Sequence, residues 1–417
     1  LLLIILRIPI AISLTLASVF AALYLGIPVP AVAQRMVNGV NKVALLAVPF
    51  FIFAGQLMAA GGISKRLVDF SRVFVGRLRG GLAMVNVMAS MFFGGMSGSS
   101  VADTASIGAM LIPVMKQDGY KADYATSVTI SSSIQGIIIP PSHNMIIYAL
   151  AAGTNISVGM MFLGGVIPGV LLGVSMMIFC YIYAIRHNHP KGEKLGVKRS
   201  LRIIRDSITG LLTPVIIVGG VVTGVFTATE SAAIACVWAF LISFLVYREI
   251  PMKDFIVILK RTFKTLIVVL PVIAAANAFG FLIAYLRIPG IVSTALLGIS
   301  SNKYIVMMII NLMLLGLGCI MDMAPLILIC APIMLPVAMG LGIHPVHFGI
   351  IMIMNLSIGL LTPPVGVTLF VGSTVGEVPL EKLARANMPF YLLIIVVLLL
   401  VTYIPPLVMW LPLTLMQ

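Results

Sequence analysis

Small oxygen-bearing side chains crowd one stretch of this chain, Ser97-Gly98-Ser99-Ser100-Val101-Ala102-Asp103-Thr104. Hard oxygens of this kind, helped by backbone carbonyls freed at a helix break, suit a weakly held Na⁺. A second stretch offers Gly318 and Asp322. Asp103 and Asp322 stand within apolar sequence, where an ionisable residue is costly and by default functional. The competing reading of either aspartate is a hairpin cap, and that of the Ser/Gly cluster is close helix packing.

Two double prolines add to the set. The first reads Ile139-Pro140-Pro141-Ser142-His143-Asn144 and the second Thr362-Pro363-Pro364-Val365-Gly366-Val367-Thr368. Pro140, Pro141, Pro363, Pro364 and Gly366 would set the breaks, leaving Ser142, Asn144, Thr362 and Thr368 to contact ligand or ion. His143 invites a proton-carrier role, but a lone His beside a break is more often a hydrogen-bonded structural residue. Glu230, in Thr227-Ala228-Thr229-Glu230-Ser231, is placed to cap a helix. His344 and His347 fall in an expected external loop with no further ligands nearby. Walker loop, nucleophile elbow and HExxH are all absent from the sequence, so it supports neither ATP hydrolysis nor membrane proteolysis. With no paired acid and base visible, the chain is expected not to be an enzyme and to need no cofactor.

The elements that must position these residues are membrane helices. Of 417 residues, 61% are hydrophobic and only 9% charged, with a mean hydropathy of +1.18. Soluble domains carry about 25% charged residues. The apolar runs here repeatedly reach the roughly 20 residues a bilayer-crossing helix needs. Backbone amides in hydrocarbon must be satisfied within their own segment, so such runs are helices. The alternating pattern of an outer-membrane barrel is missing. The net charge of +14 gathers beside apolar segments instead of interleaving with aromatics, which sets nucleic acid aside. Cys180, Cys236, Cys319 and Cys330 sit in apolar stretches and read as small core residues. The chain opens Leu1-Leu2-Leu3 without Met, which suggests a missing or fused N-terminus. Its first apolar stretch, past Arg7 to Gly26, reads as a membrane helix and not a signal peptide.

Three basic loops orient the chain: 62–81, 186–205 and 248–264, all expected in the cytoplasm. On that map helices near 1–26 and 43–60 go out and back. Residues 82–116 form a hairpin broken at 94–100, each arm too short to span, and 124–152 goes outward through the first proline break. Residues 158–185 return; helices near 209–226 and 230–247 form the next pair. A helix near 265–285 leads to 289–299, which is expected along the surface. A second hairpin, 304–341, enters from outside with its break near 316–318. Residues 346–376 then run inward through the second proline break, and 388–411 goes out.

A shift of 223 positions pairs Gly95 with Gly318, Pro113 with Pro336, Gly119 with Gly342, Gly136 with Gly359, Pro140 with Pro363, Pro141 with Pro364 and Gly153 with Gly376. About one such coincidence is expected by chance, so a duplicated unit is indicated. The charge map puts the two hairpins on opposite sides and the units are therefore inverted. Inverted repeats with paired broken helices mark secondary transporters that bind substrate and ions near the midplane. The expected fold is all-α and polytopic, an elevator-type ion-transporter fold with two re-entrant hairpins and two broken helices. Its regions are N-terminal scaffold helices (1–81), a first transport repeat (82–157), scaffold and arm helices (158–303), a second transport repeat (304–376) and a C-terminal helix (377–417).

These motifs, with Thr227-Ala228-Thr229-Glu230-Ser231-Ala232-Ala233 and Leu361-Thr362-Pro363-Pro364-Val365-Gly366, resemble the large membrane subunit of TRAP (tripartite ATP-independent periplasmic) transporters over nearly the whole chain. The resemblance implies Na⁺-driven import by an elevator mechanism across a bacterial inner membrane. It implies a periplasmic solute-binding protein and a small four-helix membrane subunit, separate or fused at the N-terminus, as partners. Na⁺ would be held at the hairpin tips and proline breaks, by Ser99, Asp103, Gly318, Asp322 and Thr362. Substrates in the family are organic acids. The pair His143-Asn144 after the double proline favours a sugar acid such as sialic acid over a four-carbon dicarboxylate. The alternatives are a stand-alone Na⁺/anion symporter needing no binding protein, and a passive channel.

Overall fold

The computed structural model describes residues 3, 8–153, 156–192, 194–300 and 302–416. Its named elements are all helical, and the one isolated bridge among the described residues joins Arg79 to Lys191. Among the described residues, five helices are long and apolar enough to cross a membrane, or six if the bent pair Leu380–Ala386 and Met388–Tyr403 counts as one span.

The chain begins with α1 (Ile10–Tyr24), α2 (Val29–Val40), α3 (Ala47–Ala60) and α4 (Ile63–Val75). Two helix pairs carry the oxygen-rich stretches. The first is α5 (Gly81–Ser97) with α6 (Ser100–Gln117), the second α15 (Lys303–Gly318) with α16 (Met323–Gly340). Each pair precedes an interrupted helix. After the first come α7 (Ala122–Ser133), α8 (Gln135–Ile138) and, past the double proline, α9 (His143–Ala151). After the second come α17 (Pro345–Gly359) and α18 (Val367–Gly376). Between the two sets lie α10 (Val158–Arg186), α11 (Val197–Val222), α12 (Ala228–Phe240), α13 (Phe255–Tyr285) and α14 (Ile288–Ile299). α19 (Leu380–Ala386), α20 (Met388–Tyr403) and α21 (Pro406–Leu415) close the chain.

The duplication carries into geometry, with the first crossing made by Gly94, one residue before the Gly95 that the 223-residue offset pairs with Gly318. In the first unit α5 crosses the interrupted helix at Gly94 and Gly136; in the second, α15 crosses at Gly318 and Gly359. Each crossing brings backbone onto backbone, which only residues without a side chain permit. Buried amides tie the same pairs together. Asn86 Nδ2 donates to Thr129 Oγ1 at 2.7 Å, and Asn355 Nδ2 to Asn311 Oδ1 at 3.0 Å. The outgoing half of each interrupted helix then packs on the other pair, α9 on α16 and α18 on α6. α10 packs chiefly on α21 and α5, whereas α3 packs on α12, and α1 and α2 on α13.

Two sets of contacts gather the turns into two faces. On one, Arg66 pairs with Glu249 at 2.6 Å, Lys116 with Glu377 at 3.5 Å and Lys382 with Asp123 at 3.5 Å. These are turns that the charge map puts on the inner side. On the other, Thr229 Oγ1 donates to the Val43 carbonyl at 3.4 Å, Tyr148 OH to that of Pro345 at 2.8 Å and Tyr403 OH to that of Tyr304 at 3.0 Å.

Several boundaries differ from the sequence reading. Much of the basic "loops" is helical: Lys65, Arg66 and Arg72 lie on α4, Lys198, Arg199, Arg202 and Arg205 on α11, and Lys260, Arg261 and Lys264 on α13. Charged residues tolerated at helix ends that leave the bilayer look the same in sequence as loop charges. The extra helix α2 has apolar and polar residues on opposite faces and so lacks a long apolar run. The first expected helix is described from Ile10 to Tyr24; residues 1, 2 and 4–7 lie outside the described residues. The second pair breaks at Cys319–Asp322, just past the expected 316–318. His344 and His347 are not in a loop: His344 caps α17, and His347 is buried within it with Nε2 2.8 Å from the Val401 carbonyl oxygen. The Thr227–Glu230 cap forms as expected, a reciprocal capping box.

Candidate functional site

The tip of the first helix pair is set by local backbone chemistry. α5 ends at Gly98, whose φ of +62° is a left-handed conformation that glycine adopts without penalty. Ser99 then starts α6, its Oγ accepting from the Ala102 amide at 3.3 Å. Gly98 lies directly against the first proline break: a Cβ there would meet His143 Nδ1 at 3.2 Å and the Pro141 carbonyl oxygen at 3.4 Å. On its far side the tip abuts α3, where a Cβ on Gly55 would lie 3.1 Å from the Ser97 carbonyl oxygen.

A cavity of about 530 Å³ opens at this junction. Ser97, Gly98, Ser99 and Ser100 line it from the first tip, His143 and Asn144 from the first break, and Asp322 from the second tip. Leu360 and Val367 contribute from the second interrupted helix. The opposite wall is α3, with Gln56, and α13, with Arg261 and Thr265. Arg261 also lines the adjoining pocket with Glu249 and Asp254, on the face that carries most of the basic residues.

The expected residues thus divide into three sets. Ser97, Gly98, Ser99, Ser100, Asn144 and Asp322 share the cavity. A second group lies buried outside its lining. Asp103 is 1% exposed, and both of its carboxylate oxygens lack a hydrogen-bond partner among the described residues, as do Thr104 Oγ1 and Ser142 Oγ. Thr368 joins this layer through a 2.7 Å hydrogen bond with Ser100 that ties α18 to α6. The third set stays away from the cavity lining: Gly318 is occupied by its crossing with Gly359, and Thr362 Oγ1 donates to the Ile358 carbonyl at 2.7 Å. Pro140, Pro141, Pro363, Pro364 and Gly366 form the two breaks without lining the cavity.

Four lining residues escaped the sequence reading or were discounted in it. Gln56 is the lone long polar side chain of an apolar helix, a signal that was available. His143, which its sequence context favours as a hydrogen-bonded structural residue, lines the cavity. Arg261 and Thr265 sit at the inner end of a helix whose start the basic run concealed. Arg261 is the only Lys or Arg that lines the cavity among the described residues. Chemically the site offers hydroxyls, the two amides of Gln56 and Asn144, the His143 ring and the Asp322 carboxylate around a chamber large enough for a small organic molecule, with one cation, Arg261, in its wall. The segments that supply its lining also hold buried unpaired oxygens outside the cavity wall, those of Asp103, Thr104 and Ser142.

Comparison with known proteins gives a single answer. The family model described as "Tripartite ATP-independent periplasmic transporter, DctM component" matches residues 1–407. An uncharacterised protein of Salmonella typhimurium, YgiK, is 39% identical, the alignment covering 97% of this chain and 93% of that one. The sialic acid TRAP transporter large permease protein SiaM of Vibrio cholerae is 38% identical over 91% and 88% of the two chains. The C4-dicarboxylate TRAP transporter large permease protein DctM of Pseudomonas aeruginosa is likewise 38% identical, over 92% and 90%. Among solved structures, the YdaH transporter of Alcanivorax borkumensis superposes with a TM-score of 0.63 at 14% identity, over 89% of this chain and 86% of that one, a likeness of fold.

Proposed function

Because this chain belongs to the DctM family of tripartite ATP-independent periplasmic transporters, we propose that it imports a small organic acid anion by Na⁺-coupled secondary transport across a bacterial inner membrane. The observation that carries the proposal is the pairing of a hydroxyl-lined chamber with orphaned buried oxygens on the segments that line it. A carboxylate kept from water without a partner costs several kcal/mol. Asp103, Thr104 and Ser142 each hold a buried oxygen without a hydrogen-bond partner among the described residues, and a dehydrated monovalent cation is a partner that oxygens of this kind accept. Asp322 at the second tip and Thr362 at the second break are the corresponding candidates in the other unit. Na⁺ is here co-transported cargo. Its binding orders the tips around the chamber, where Ser99, Ser100 and Asn144 receive the hydroxyl and carboxylate groups of the substrate.

We divide the helices into two bodies, which still meet closely where α4 packs on α5 and α13 on α16. α5–α9 and α15–α18 interlock through the two glycine crossings and the exchanged halves, and α10, α20 and α21 accompany them. α1–α4 and α11–α13 form the wall. We read the first body as an elevator, its units inverted repeats with re-entrant hairpins, sliding along the wall where Gly55 meets Ser97. The chamber adjoins the Glu249 side, the disposition of an inward-facing state. The family name implies three components, so a periplasmic binding protein would deliver the substrate and a small membrane subunit would brace the wall. Relatives named for sialic acid and for C4-dicarboxylates bracket the substrate class. The Asn144 and His143 pair after the break favours the hydroxylated sugar acid.

The test is uptake of labelled sialic acid, with succinate in parallel, into proteoliposomes holding the chain and its small subunit. Na⁺ gradient and cognate binding protein are each supplied or withheld. Uptake that needs both, and is lost in Asp103→Asn while that variant still folds, is the expected result. Uptake with Na⁺ but no binding protein makes the chain a stand-alone symporter. Uptake of neither acid under any gradient defeats the reading.

A further inference from the structure

On the opposite face from the Glu249 turn lies a second cavity, of about 350 Å³, between α2 and α13 on one side and α9 and α16 on the other. Its polar lining is Arg35, Lys42, Asn38 and Asn277, and no acidic side chain lines it. The Arg35 guanidinium is held over the Phe281 ring, 4.3 Å from its centroid. That stacking fixes the group while leaving its N–H donors unused. Arg35, Lys42 and Asn38 make no side-chain hydrogen bond or ion pair among the described residues. Gly39 permits the close approach, since a Cβ there would strike the Asn277 side chain at 2.5 Å.

Topology does not account for these charges. Basic residues concentrate on the inner face because they resist translocation, yet Arg35 and Lys42 stand at the outer end of α13, beside the turn that Thr229 ties to Val43. Two unpaired cations in a concave site, with amide donors between them and no anion of the chain's own, describe a receptor for an anion. Its apolar floor, including Ile147, Leu150 and Leu328, leaves room for a short carbon skeleton. The walls come from both bodies of the proposed elevator: α9 continues from the first proline break and α16 starts at Asp322.

We propose that this outer cavity is an anion-binding site for a carboxylate or phosphate group, a receiving station for the organic acid before it reaches the inner chamber. The station's role rests on the transport reading above; the binding site does not. Arg35 and Lys42 hold the anionic head, Asn38 and Asn277 orient it, and the site is paired with Arg261 at the inner end of the same helix. The same chemistry also fits the phosphate of an anionic lipid headgroup.

The experiment reads occupancy and not transport. Gly280→Cys, which lines the cavity where an added Cβ would meet nothing within 4 Å, is labelled with a membrane-impermeant maleimide in nanodiscs of phosphatidylcholine, with sialic acid, succinate, inorganic phosphate or chloride added. A second arm uses nanodiscs containing phosphatidylglycerol and no added acid. Saturable protection by an organic acid but not by chloride is expected, weakened at least tenfold in Arg35→Gln and in Lys42→Gln. Protection by phosphatidylglycerol alone supports the anion site and assigns it to a lipid headgroup. Equal labelling under every condition, or protection unchanged in both charge variants, overturns the proposal. Arg35→Lys separates charge from stacking: it keeps the charge, so it should retain part of the protection. Intact uptake without protection sinks the site alone; protection without uptake sinks the transport reading alone.

Discussion

The two glycine crossings make a quantitative demand on the sequence. In Gly136→Ala the new methyl would sit 2.5 Å from Gly94 Cα, and in Gly359→Ala it would sit 2.6 Å from Gly318 Cα. Carbon atoms in contact settle at roughly 3.5–4.0 Å, so each crossing must open by about 1 Å. The obstructing atoms are backbone, and no rotamer change relieves them. Overpacking of this kind costs about 1–3 kcal/mol. The controls are Gly219→Ala and Gly298→Ala, which would meet nothing within 4 Å and lie inside helices. There the exchange favours the helix by up to about 1 kcal/mol. The spread between crossing and control variants is therefore about 1–4 kcal/mol, read as the apparent unfolding temperature of the purified protein in detergent. Both crossing variants should melt below wild type and both controls at or above it, with uptake lost only in the former. If Gly136→Ala melts with Gly219→Ala, the crossings are not the close contacts that join each pair to its interrupted helix.

Other perturbations test other joints. Arg261→Gln removes the single Lys or Arg that lines the chamber among the described residues; the initial uptake rate should fall severalfold while the melting temperature stays put, because the side chain is exposed and makes no ion pair among those residues. Ser100→Ala and Thr368→Ala break one 2.7 Å hydrogen bond. Their double mutant should therefore destabilise less than the sum of the singles, by about 0.5–3 kcal/mol, and strict additivity in a melting series would deny the coupling. His189 sits against the Tyr120 ring, 4.3 Å between centroids, and near Tyr124, Tyr183 and His187. Burial first, and then the neighbouring His187, hold its pKa below the usual 6.5. Neutral imidazole is thus the docked form, and the stability it lends is intact above pH 6.5 and lost as pH falls below it. The Gly80 amide, bonded to the Pro190 carbonyl at 3.0 Å, should lose protection from hydrogen exchange below that value. A His189→Gln variant that keeps the same pH dependence refutes the assignment.

What was legible in the sequence were the features whose cause is local. Gly98, the double prolines and the Thr227–Glu230 box each dictate backbone geometry within a few residues, and all of them stand where the sequence placed them. The 223-residue repeat was legible because Gly and Pro at helix crossings and breaks admit no substitute. Element ends were less so. α11 and α13 begin within basic runs, and a run of Lys and Arg looks the same whether it coils in water or forms the first turns of a helix. α2 went unread because it buries one face only and never builds the long apolar run that announces a span.

The cations show why a site is harder to read than a fold. A basic residue in a membrane protein carries two messages, which side of the bilayer it is on and whether it binds something, and sequence position encodes only the first. Geometry sorts them by two conditions, a place in a cavity wall and the absence of a carboxylate partner. Arg66 fails the second, paired to Glu249 at 2.6 Å, and Lys116 and Lys382 are committed to Glu377 and Asp123 at 3.5 Å. Arg261, Arg35 and Lys42 meet both. Asp103 and Asp322 stood out in sequence as candidates because hydrocarbon makes a lone carboxylate expensive wherever it lies along the span. No comparable cost marks a cation at a helix end, so its function appears only once the opposite wall is in place.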